Sequence, residues 1–67
     1  MINTQKLSAD VAALRNSKNI SMDVACKEVG ISKPTFSRIE RGVSFPDSVT
    51  LLKLCKWLDT NPMSYLN

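Results

Sequence analysis

The stretch GISKPTFSRIERG, residues 30–42, decides the fold. Gly30 enters the left-handed conformation at a helix C-terminus without a Cβ penalty, so it stops the helix before it. Ser32 is an N-cap, and Pro34 falls in the first turn that follows, where its missing N–H costs nothing. Gly42 is the next stop. Two helices therefore meet across a turn of about three residues, the layout of a helix-turn-helix. On a wheel of about 100° per residue, Lys33, Pro34, Ser37, Arg38 and Arg41 share an arc of roughly 140°. Phe36 and Ile39 lie opposite, with Thr35 beside them. The outer face carries three cations and no anion, and Glu40 sits at its edge.

Outward from this stretch, the chain reads as helices and short breaks. Leu7, Val11 and Leu14 recur at i, i+4, i+7 and predict a first helix over residues 4–17. The polar run NSKN, 16–19, breaks it. Ser21 caps a second helix, with Asp23 in its first turn, where the helix dipole favours a negative charge. Ala25, Cys26 and Val29 give that helix a small-residue inner face. Helix three runs from the Ser32 cap to about residue 41. After the loop VSFP, Asp47 caps helix four, whose apolar stripe is Leu51, Leu54, Cys55 and Leu58. DTNP, 59–62, breaks the chain again, and residues 63–66 form a last short turn. The expectation is an all-α bundle of four to five helices, with residues 1–67 forming one domain.

Composition narrows the functional classes. Sixty-seven residues lie near the lower limit for a single unaided core, and 43% hydrophobic content is unlike a disordered tail. No apolar run approaches the ~20 residues that span a membrane, and no secretory signal opens the chain, so a cytoplasmic location is expected. The net charge of +3 suits a polyanionic partner. Histidine is absent. Cys26 and Cys55 stand far apart without a CxxC, which points to buried reduced thiols rather than a zinc site or a disulfide. No cofactor, metal ion or small-molecule ligand is expected. An enzyme is a poor reading, because the chain is too short to shape a deep pocket and no two carboxylates share a face.

A helix that shows Lys, Arg and Ser outward can enter the major groove of DNA. Lys and Arg donate there to guanine O6 and N7, and Ser gives or accepts a hydrogen bond. A cationic face alone is as easily plain solvated surface. Joined to the tight glycine turn, it favours DNA.

The residues that follow carry a resemblance. Ile20 and Ser21 lead helix two, VGIS (29–32) forms the turn, and SRIERG (37–42), Pro46, TLLKL (50–54) and Leu58 complete the pattern. Residues 20–66, about two thirds of the chain, resemble the Cro/lambda-repressor-like (XRE) helix-turn-helix family, and helix one fits the family's first helix. The resemblance implies a five-helix bundle, sequence-specific operator binding as a dimer on a pseudo-palindrome, and transcriptional control. It implies base contacts at Lys33, Ser37 and Arg38. Pro34 stands where a polar base contact is common; it can only touch a thymine methyl or set the helix start. Phosphate contacts fall to Ser21, Met22, Ser32, Thr35 and Arg41. Met22 departs from the pattern, replacing a glutamine that grips a phosphate, and VSF in the loop replaces cations. Both departures imply modest affinity. Arg15 and Glu40 resemble a structural salt bridge between helix one and the end of helix three.

Trp57 falls off the stripe of helix four, and Met63 and Tyr65 follow closely. Aromatics and Met are favoured interface anchors, so these three are the candidates for a homodimer interface. They could equally close the bottom of the core, with the indole N–H reaching water. The reading that results is a small Cro-like repressor of phage or mobile-element origin, the origin resting on size alone. The alternative is an antitoxin-type or protein-binding module that keeps the fold and binds a protein partner.

Overall fold

Short side chains set where each helix begins. A computed structural model describes residues 3–66 and holds four α-helices: α1 Thr4–Lys18, α2 Met22–Val29, α3 Lys33–Glu40 and α4 Ser48–Leu58, followed by a 3₁₀ turn, Pro62–Tyr65. The Ser21 hydroxyl accepts from the Val24 N–H at 3.3 Å, and Ser32 accepts from Thr35 at 3.4 Å. Asp47 accepts from Thr50 at 2.9 Å, and its hydrogen bonds to Thr50 hold its carboxyl below the usual carboxylate range. Each cap satisfies one of the N–H groups that a helix start leaves without a partner. Asn3 does the same for α1, accepting from Lys6 at 3.0 Å. Sequence pattern alone did not mark it.

The helix ends share one device. Asn19, Gly30, Gly42 and Asp59 all have positive φ, at 55°, 91°, 73° and 58°. After each, the next N–H turns back to a carbonyl of the last turn: Ile20 to Arg15, Ile31 to Cys26, Val43 to Arg38 and Thr60 to Cys55. These bonds satisfy carbonyls that the helix leaves open. Gly30 is the residue for which glycine matters most, since its φ of 91° lies beyond the left-handed region that other residues visit.

Every helix gives its apolar stripe to one core. Leu7 and Val11 enter from α1, Ala25, Cys26 and Val29 from α2, Phe36 and Ile39 from α3, and Leu51, Leu54 and Cys55 from α4. Ile20, Met22, Ile31, Phe45, Trp57 and Leu58 pack around them, and Leu14 is half-buried. Both cysteines are free and buried, and burial pushes the Cys55 thiol up. No helix among the described residues is long and apolar enough to cross a membrane.

Two of the three expected dimer anchors are used inside the fold. Tyr65 is fully buried, its phenol donating to Asp10 Oδ2 at 2.7 Å and lying 3.4 Å from Thr60 Oγ1. Its carbonyl accepts from the Asn3 N–H at 2.8 Å, and the Lys6 ammonium lies 5.6 Å from the centre of its ring. Tyr65 thus ties the end of the described chain to α1, and nothing of it is left to meet a partner. Trp57 is half-buried, edge-on to Phe36 with ring centroids 6.0 Å apart. Its N–H goes not to water but to Glu28 Oε1, at 3.0 Å. The aliphatic stripe of α4 misplaces Trp57 because a large ring three residues after Leu54 can cross to α2 and α3. Met63 stays on the surface, 66% exposed.

Burial pushes the Tyr65 phenol from 10.0 up to about 12. The folded state therefore favours the protonated phenol. Its contribution to stability is complete below pH 10 and is lost as the pH rises toward 12. Tyr65 is the one tyrosine of the chain, so its ultraviolet titration reports this group alone. The folded protein should titrate well above an unfolded control, and Tyr65→Phe should flatten that part of the stability profile. A phenol titrating at the ordinary value would contradict the buried placement.

Candidate nucleic-acid interface

Helix α2, the three-residue turn Gly30–Ile31–Ser32 and α3 form the helix-turn-helix of the bundle. Lys53 of α4 donates to the Gly30 carbonyl at 3.2 Å and fastens the turn from behind. With Phe36 and Ile39 buried, α3 has one orientation available, and its opposite side faces out. Lys33, Pro34, Arg38 and Arg41 are exposed, and Ser37 is half-buried. Arg41 lies back along its own helix, its Nε donating to the Ser37 carbonyl at 3.4 Å.

The two hydroxyls at the start of α3 are coupled. Ser32 Oγ accepts from the Thr35 N–H and donates its own proton to Thr35 Oγ1 at 2.8 Å. Ser32 is thereby committed, and the proton that can still be offered outward is that of Thr35. Met22 is half-buried against the core. Its thioether has no proton to donate, so at this position a phosphate could meet only backbone N–H at the start of α2.

The outer face of α3 has no anion of its own, but the neighbouring helix brings one to Lys33. Its ammonium lies 3.1 Å from Oδ1 of Asp23, which sits in the first turn of α2. Both side chains are mostly exposed, 56% for Lys33 and 63% for Asp23. The wheel of α3 could not reveal this pair, because its acid belongs to the neighbouring helix. Ser8, Asp10 and Lys53 were missed for the same reason: each acts across the fold.

The far end of α3 is held by Arg15 of α1. Its Nε donates to Glu40 Oε1 at 2.6 Å, Nη2 to Oε2 at 3.1 Å and Nη1 to the Ile20 carbonyl at 3.0 Å. The hydrogen bond to Glu40 raises the Arg15 pKa against the opposing effect of burial, so the guanidinium keeps its charge. The Ser8 hydroxyl donates to the backbone carbonyl of Glu40. Such a two-pronged pair fixes geometry as well as charge.

A second cluster braces α2. Glu28 accepts from Trp57 and holds the Lys18 ammonium at 2.9 Å, and these bonds lower its pKa, the one to Trp57 most. The loop after α3 is apolar, with Val43 exposed, and the outer side of α4 shows Val49 and Leu52. No group of three His, Cys, Asp or Glu side chains among the described residues could share a metal ion.

Among known proteins, a family model described as a helix-turn-helix domain matches residues 6–63. That span takes in α2, the turn and α3 entire. No curated protein and no solved structure matches significantly.

Glu40→Ala should strand the Arg15 guanidinium in a half-buried place and lower the thermal midpoint by several degrees. Glu40→Gln, which keeps an acceptor for one N–H, should fall between the two. Equal midpoints for Glu40→Ala and the parent protein would mean that the pair does not brace α3.

Proposed function

The chain belongs to the helix-turn-helix domain family, and from that premise we propose that it is a transcriptional regulator that binds duplex DNA sequence-specifically. In this reading α3 lies in the major groove. The observation that carries it is the division of α3 into a buried side, Phe36 and Ile39, and an outward side of Lys33, Pro34, Ser37 and Arg38. Lys33 and Arg38 donate to guanine O6 and N7, Ser37 hydrogen-bonds a base edge and Pro34 meets a thymine methyl. Ser21, the Thr35 hydroxyl, Arg41 and the backbone at Met22 and Ser32 meet phosphates and set the register.

The finer reading is a Cro-like repressor of phage or mobile-element origin, and it rests on the residue pattern of 20–66. In it, residues 1–67 act as one DNA-binding domain in the bacterial cytoplasm, joining the nucleoid when bound. Two copies bind a pseudo-palindrome whose half-sites lie one helical turn, about 34–36 Å, apart. Of the dimer candidates, Met63 and the open edge of half-buried Trp57 keep a role in this reading, and the fully buried Tyr65 does not.

Selection from a random duplex pool tests this reading. A short palindrome should be enriched. Lys33→Ala and Arg38→Ala should each relax one position and weaken binding by about 1–3 kcal/mol, the worth of a good base contact. A single enriched half-site would keep α3 in the groove and discard the dimer. Failure to enrich any sequence would overturn the DNA reading in favour of a protein-binding module, for which Val43, Val49 and Leu52 are the exposed apolar residues to test.

A further inference from the structure

We propose that Asp23 is a specificity-determining residue of the DNA-binding face: its carboxylate holds the Lys33 ammonium toward the bases and opposes its transfer to the phosphate backbone. The inference rests on the reading of α3 as the helix that enters the groove.

The geometry comes first. Asp23 belongs to α2 and Lys33 is the first residue of α3, so their 3.1 Å contact crosses the turn and lies on the outer side of the bundle. Both groups are mostly exposed, and exposed pairs add little to stability. The fold has no need of this contact. Its place is what matters, because it puts an anion beside the first cation of α3.

The chemistry of the lysine follows. An ammonium on a four-carbon stem is a mobile point charge with three N–H donors. Unrestrained, it would settle on whichever phosphate is nearest, and such contacts are blind to sequence. Held by Asp23 through one N–H, it keeps two for guanine O6 and N7 and need not leave its partner to use them. A move onto a phosphate would instead break the pair and leave the carboxylate a few ångströms from a second anion. At that range ordinary salt screens little, since the Debye length is about 10 Å at 0.1 M.

Asp23 cannot easily withdraw. Its side chain is short, its backbone is fixed in the first turn of α2, and its carbonyl takes the Cys26 thiol at 3.2 Å. The helix dipole also favours a negative charge where it stands. The carboxylate therefore weakens binding to unmatched DNA more than binding to a site with a guanine opposite Lys33.

The test compares the parent protein with Asp23→Asn and Asp23→Glu by fluorescence anisotropy. The probes are a mixed-sequence duplex and the duplex enriched by selection, each over a salt series. Asp23→Asn should bind the mixed duplex about fivefold more tightly, the effect of one unit charge close to a phosphate in water. Its salt slope should steepen by about 0.9, one more phosphate neutralised. Its preference for the enriched duplex should fall, and Asp23→Glu should match the parent. Unchanged affinity and slope in Asp23→Asn, with the parent still binding DNA, would overturn this proposal alone. An equal loss on both duplexes with a lowered thermal midpoint would also overturn it, since Asp23 would then serve only the fold. If neither the folded parent nor folded Asp23→Asn binds either duplex at low salt, the DNA reading falls and this proposal with it.

Discussion

The guanidinium of Arg15 is the group on which the placement of α3 depends. From α1 it reaches two other parts of the chain at once: the Ile20 carbonyl ahead of α2 and both oxygens of Glu40 at the end of α3. A half-buried charge needs partners, and each of the three nitrogens of this one donates a hydrogen bond. An eight-residue helix is too short to persist alone in water. Here it is held at one end by Arg15 and the Ser8 hydroxyl, at the other by the Ser32 cap, and along its inner side by Phe36 and Ile39. Lysine and arginine side chains of high entropy therefore project from a fixed rod, the arrangement that reading base edges requires.

Much of this was legible locally. Ser21, Ser32 and Asp47 announce helix starts, Gly30 and Gly42 announce stops, and the stripes of α2 and α4 follow a period of 3.6. What escaped has physical causes. Asn19 and Asp59 end helices in the left-handed conformation, yet Asn and Asp also populate ordinary loops, so their letters mark a break without locating its pivot. Tyr65 and Trp57 depend on distant partners: a polar aromatic is a good anchor for an interface and equally for a core with an acceptor in reach. Asp10 and Glu28 supply those acceptors. At the candidate site, the division of α3 into two sides was plain from spacing. The Asp23–Lys33 contact was not, because no periodicity within one helix reports on its neighbour.

Arg15, Lys18 and Lys33 each face an acid, and Arg41 lies along its own helix. The loop after α3 offers valine and serine where a cation would grip the backbone. In the proposed reading such a surface has a reduced sequence-blind attraction to DNA, and selectivity would fall to the few side chains at the start and middle of α3.

The claim that α3 is the surface that meets DNA is tested most directly by amide chemical-shift mapping during titration with a mixed-sequence duplex at low salt. The account predicts that the largest shifts cluster at the start of α2 and along residues 31–38, with the outer side of α4 silent. Shifts centred on Val49 and Leu52, with Lys33 and Arg38 unmoved, would contradict it.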